Sequence, residues 1–130
     1  MVMHFDKVKS YLFELGFDIQ SEDEAEGLVV ITNEEQGINN LIIDCEEDIL
    51  IFEQIIFKLK NPGDSEVLTH LLKINRSLVH GALTLDDEDR VIFRDTLQLE
   101  NLDQNELEGS INAISMMMAE YAGDFLKFAK

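Results

Sequence analysis

Few residues in this chain are of a type that does chemistry on its own, and they are poorly spaced for it. The three histidines, His4, His70 and His80, are dispersed. None stands two or four positions from another, the spacings that bring two imidazoles to one metal. Cys45 is the only cysteine, so neither an intrachain disulfide nor a cysteine-rich zinc site can be built. It closes an apolar run and reads as a small core residue rather than a nucleophile. The run Asp86-Asp87-Glu88-Asp89 invites a calcium reading. Its carboxylates are consecutive instead of alternate, and no glycine follows to make the sharp turn of an EF-hand loop. A solvated turn is the better reading. Glu22, Glu24 and Glu26 alternate, but with no closing ligand. No P-loop, dinucleotide fingerprint or nucleophile elbow occurs. The expectation is a chain with no catalytic residue, no metal ligand and no cofactor, and therefore not an enzyme.

Charge narrows the partners. Twenty-seven acidic residues stand against ten basic ones, a formal net charge of −17 over 130 residues. Phosphate contacts need a basic face, so a nucleic-acid partner is excluded. The same balance disfavours docking on an anionic membrane. The first residues lack a charged segment followed by an apolar one, and no apolar run approaches the ~20 residues of a membrane span. A cytoplasmic, soluble protein is expected, with a protein as its partner.

The elements must then say what surface is offered. Length fits a single domain over residues 1–130. Phe5, Val8, Leu12 and Leu15 recur at helical spacing over 3–15, and Gly16 stands where such a helix stops. Strands are expected at 17–20, 27–32, 40–45 and 49–59. The last of these is apolar on both faces, so it needs cover on both. Glu53-Gln54 interrupts it and could mark a bulge. Asn61-Pro62-Gly63-Asp64 is a turn. A second helix is expected from there to about Val79, then a hairpin of 80–85 with 90–97. A final helix is expected over about 103–128. The order α-β-β-β-β-α-β-β-α, without regular βαβ alternation, points to an α+β fold with a mostly antiparallel sheet flanked by helices.

Two helices carry more than a core stripe. On the second, Val67, Leu68, Leu71, Leu72, Ile74, Leu78 and Val79 cover an arc of roughly 160° at about 100° per residue. A sheet-facing stripe is nearer ~100°. Either the helix is sunk deep in its own core or it serves a second surface as well. On the second reading Leu68, Leu72 and Val79 lie at a dimer or client interface. Asn75 falls near the centre of the arc, where a carboxamide must be hydrogen-bonded. It reads as a structural buried polar residue that pins nearby backbone, with a ligand contact as the alternative. On the last helix Leu107, Ile111, Ile114, Met118, Tyr121 and Phe125 form the core stripe. Met117 lies to one side. Met116 lies opposite, as part of an adaptable partner surface or as an isolated apolar residue.

Residues 71–107 are the most informative stretch. The helix ends in Leu-x-x-Asn (Leu72 to Asn75). Gly81-Ala82-Leu83, an acidic hairpin turn, an alternating strand, a leucine-rich connection and a final helix follow. This segment resembles the second half of the type III secretion chaperone-like fold, and looks similar to the YbjN family of bacterial sensory-transduction regulators and their Tir-chaperone-like relatives. The first helix and strands match in order. The resemblance implies a curved antiparallel sheet, a homodimer, and the holding of an extended client segment. A ligand-sensing regulatory domain, with a small molecule between helix and sheet near Asn75, is the alternative.

Overall fold

The computed structural model describes residues 2–130, with side chains from His4 onward. The first helix, α1 (Val2–Glu14), buries Phe5, Val8 and Leu12 on one face. It ends as its glycine requires. Gly16 adopts φ +87°, its N–H donates to Phe13 O, and the Phe17 N–H reaches back to Leu12 O at 3.0 Å. Those two bonds satisfy carbonyls that the helix end would otherwise leave open.

Four strands follow: β1 (Ile19–Asp23), β2 (Leu28–Asn33), β3 (Ile38–Cys45) and β4 (Ile49–Lys58). A short 3-10 turn at Glu34–Gln36 joins β2 to β3. The second helix, α2 (Ser65–Asn75), starts on Asp64, whose side chain accepts the N–H groups of Glu66 and Val67. The hairpin of β5 (Ala82–Leu85) and β6 (Arg90–Gln98) leads to α3 (Gln104–Phe128). That helix opens on a capping box: Asp103 accepts the Glu106 N–H at 2.8 Å, and Glu106 accepts the Asp103 N–H at 3.2 Å.

The six strands form one sheet in the order β1-β2-β3-β4-β6-β5, and every pairing is antiparallel. The fold is α+β in the expected order. One sheet face is buried. Val29 and Ile31 of β2, Leu41 and Ile43 of β3, Leu50 and Phe52 of β4, and Val91 and Phe93 of β6 share one core with α1, α2 and α3. Asp95 also points to this side, where Ser110 donates to it at 2.6 Å.

Several expectations need correction. The second helix ends at Asn75, not Val79. Beyond it the chain tightens: Ser77 N–H and Oγ both bond Ile74 O, and Leu78 N–H bonds Asn75 O. Leu78 and Val79 therefore lie outside the helix, and the 160° arc counted residues that do not belong to it. Met117 is buried, while Met118 is only half-buried. The first strand runs over Ile19–Asp23 instead of 17–20, taking in Glu22 and Asp23. The bulge in β4 falls between Ile55 and Phe57, not at Glu53-Gln54.

Gln54 has another task. It is buried on the core side, accepting the Asn39 N–H and donating to Gly37 O, both at 3.0 Å. The β3–β4 ladder runs only from Ile42–Glu53 to Cys45–Leu50. Beyond it the strands part, and this side chain spans the opening. Further along, the Leu59 N–H turns toward Asp89. Lys58 O and Lys60 N–H turn the other way, to Lys130 and Phe128.

Candidate functional site

The sequence candidates on α2 meet the sheet edge. Leu68 and Leu72 line a groove of about 320 Å³ with Leu71, Leu83, Thr84, Leu85 and Val91. Leu71 and Leu83 form its floor. Leu72 is 70% exposed and Leu85 is 45% exposed, so two large aliphatic side chains stand open at its rim. An apolar cleft of this kind binds apolar groups from another molecule by removing them from water.

Asn75 fixes the position of the edge strand. Its Nδ2 donates to Leu83 O at 3.2 Å, and its Oδ1 accepts the Leu83 N–H at 2.6 Å. The residue is half-buried. Val79 and Met116 are exposed and do not line the groove. The structure thus brings Leu68, Leu72 and the Asn75–Leu83 pair together, and leaves Val79 and Met116 as separate exposed positions.

Polar contacts fasten α2 to α3. His70 Nε2 lies 3.1 Å from Asp124 Oδ2, and the His70 ring meets Phe128 edge-on. Ser77 Oγ and Tyr121 OH are 2.8 Å apart. His80 packs against Gly109. Among the described residues no three histidine, cysteine or acidic side chains gather as a metal would need.

The acidic hairpin turn is held by its own chain. Asp86 accepts the N–H groups of Glu88 and Arg90, and its other oxygen takes Arg90 Nε at 2.7 Å. The backbone donors and the guanidinium lower its carboxyl below the usual value. Burial, and secondarily the Asp44 charge, push the Cys45 thiol up to about 11. A thiol so protonated is a poor nucleophile.

Sequence reasoning asked for cover on both faces of β4, but the structure covers only one, and a second apolar surface results. On the sheet face that carries no helix, Val30, Ile42, Ile51, Ile55 and Ile92 lie half-buried or exposed. The signal was present in the odd positions of β4, where apolar residues demanded cover on both sides. Asp44 stands on this face. Burial first, then Glu46, Glu53 and Glu26, push its carboxyl up to about 6.

With the fold and these surfaces defined, comparison decides the family. The CesT_Tir_1 pattern matches residues 1–130. The chain belongs to the CesT_Tir_1 family. No curated protein matches its sequence. Among solved structures, YbjN from E. coli superposes with a TM-score of 0.73 at 17% identity, over 95% of this chain and 94% of that one. The Yersinia pestis type III secretion chaperone SycH, in complex with a fragment of YscM2, gives 0.63 at 15% identity, over 90% and 98%. A chain of the heterodimeric ExoU–SpcU complex from the type III secretion system of Pseudomonas aeruginosa gives 0.68 at 17%, over 87% and 93%. The CesT_Tir_1 membership and these superpositions bear out the resemblance to the secretion-chaperone and YbjN-like fold. No helix among the described residues is long and apolar enough to cross a membrane.

Proposed function

We propose that this protein is a non-enzymatic, cytoplasmic protein-binding module of the chaperone type, acting as a homodimer that holds a segment of a client protein. The groove between α2 and β5 carries the proposal, because Leu72 and Leu85 stand open there at the rim of an apolar cleft. Membership of the CesT_Tir_1 family supports it, as do structural neighbours bound to protein partners. Leu68, Leu72 and Val79 belong to the dimer or client surface on this reading, with Met116 as a further contact on α3.

Strand addition at β5 is restricted by Asn75. The outward backbone groups of Leu83 are already bonded to its carboxamide. The groove therefore recognises apolar side chains first, and any backbone pairing must start beyond Leu83.

Light scattering tests the assembly. The wild type is expected to run as a dimer, and Leu72→Asp, at an exposed position, is expected to shift it toward monomer while remaining folded. A strict monomer at high concentration would overturn the dimer. The ligand-sensing alternative rests on the same groove, whose volume is at the lower end for small-molecule sites. A thermal-shift screen with metabolites separates the two, since reproducible stabilisation by one small ligand would favour the alternative.

A further inference from the structure

We infer that residues Phe128–Lys130 form a salt-sensitive strap, which caps the free edge of β4 when closed and is pushed open by like charge. The strap begins at the last residue of α3, and the Ala129 N–H still donates to Phe125 O. Leu59 and Ala129 make an isolated antiparallel bridge. Lys60 N–H donates to Phe128 O at 2.9 Å, and Lys130 N–H donates to Lys58 O at 2.8 Å. The β3–β4 ladder ends at Ile42–Glu53, so these bonds close backbone groups on the side that β3 has left. Phe128 anchors the strap through its edge-on contact with His70.

Charge works against this closure. An antiparallel bridge centred on Leu59 and Ala129 sets Lys58 opposite Lys130. Lys58 is also the register partner of Arg90 in the β4–β6 ladder, so it has a basic residue on either side. Arg90 is held by Asp86 and Glu88. Lys58 and Lys130 have no ion-pair partner among the described residues, although the chain carries 27 acidic residues to ten basic ones. Like charges directly opposite each other on a sheet are destabilising. Lys60 and Lys127 share a pocket with Asp64 and Glu66, which balance their charge. Lys127 also suits the C-terminal turn of a helix. Neither account covers Lys58 and Lys130.

The direction of the salt effect follows from this pairing. Two exposed ammonium groups roughly 6 Å apart repel each other, and at about 0.5 M salt a screening length of roughly 4 Å removes most of that repulsion. Salt therefore tightens the strap, whereas it would loosen an exposed pair of opposite charges. Opening frees Lys58 O and Lys60 N–H together. The result is a stretch of unpaired sheet edge, the kind of surface to which a strand of another chain adds. The closed strap withholds that edge, and the balance between the two states is set by what neutralises Lys58 and Lys130.

Amide hydrogen exchange of the full chain, resolved by residue with NMR, tests the strap. Each rate is divided by the rate of the same residue in an unstructured chain at the same salt concentration. Leu99, whose N–H donates to Asp48 O, is the internal reference, because screening a net charge of −17 steadies the whole fold. Protection of Lys60 relative to Leu99 is expected to rise about two- to threefold between about 20 mM and about 500 mM sodium chloride. Lys130→Glu, at an exposed position, turns the repulsion into attraction. It is expected to raise the protection of Lys60 at low salt and to reverse the direction of the salt effect. Lys130→Gln is expected to lie between the two, with almost no salt effect. A wild-type ratio that stays flat or falls with salt would overturn the inference, as would a Lys130→Glu ratio that follows the wild type. Exchange of the Lys60 amide at the unstructured rate at every salt concentration would also overturn it, since no strap would then form.

Discussion

The side chain of Asn75 and the backbone of Leu83 close a ring of two hydrogen bonds, 2.6 and 3.2 Å long, between the end of α2 and the edge strand. This pair sets the width of the apolar groove. It also occupies an outward donor and acceptor that an edge strand would otherwise expose. Truncation to Asn75→Ala removes both bonds and leaves half-buried backbone groups unpaired, at a cost of about 1–3 kcal/mol. Urea unfolding should show a lower midpoint with an unchanged m-value. Amide exchange at Leu83 should quicken more than elsewhere. A wild-type midpoint would mean that the pair adds nothing to stability.

Gln54 makes a comparable pair of bonds within the sheet. Gln54→Leu keeps the volume but strands the Asn39 N–H and Gly37 O against an apolar group. Since the site is buried, the loss should be about 2 kcal/mol. Gln54→Glu keeps the acceptor for Asn39 but faces a carboxylate oxygen to Gly37 O, so it should be at least as damaging at neutral pH. Denaturation midpoints of the two variants would check this ordering.

Gly81 enters β5 at φ +71°, in the left-handed region that glycine tolerates. A Cβ there would meet the Phe93 ring and come within 2.9 Å of Arg94 O. Backbone strain and a contact with fixed backbone add together, so Gly81→Ala should cost about 2–4 kcal/mol. Gly63→Ala, where nothing lies within 4 Å of the added atom, is the matched control and should be near neutral. Thermal unfolding of both proteins distinguishes a specific demand at Gly81 from a general cost of losing glycine.

The element order was legible because each element carries its own signal. Gly16 stops α1, Asp103 with Glu106 starts α3, and Val91 and Phe93 alternate on β6. What failed was local competition. Leu78 and Val79 continue the apolar pattern of α2, yet Ser77 closes its last turn and Asn75 spends its side chain on Leu83. Periodicity counts residue types and cannot register that closure. The surfaces were half legible. Leu68 and Leu72 stood out by helical spacing, whereas the helix-free apolar face needs Val30, Ile42, Ile55 and Ile92 from four strands, and register between strands is not written in any one segment.

Asp44 links the helix-free face to pH. Its folded pKa is raised from 3.8 to about 6, chiefly by burial and then by Glu46, Glu53 and Glu26. Between these values the folded state binds more protons than the unfolded one. Stability therefore falls as pH rises through that window and is lowest, as regards this group, above it. Asp44→Asn abolishes the titration. Because the site is partly solvated, the gain at pH 7.5 should be on the order of 1 kcal/mol rather than the full value of the shift. At pH 4 the variant and the wild type should have nearly the same stability. Chemical denaturation at half-unit pH steps measures the difference directly. If the two proteins' curves stay parallel from pH 4 to 7.5, the carboxyl titrates as it would in the unfolded chain, and the crowding of acids around Asp44 carries no energetic weight.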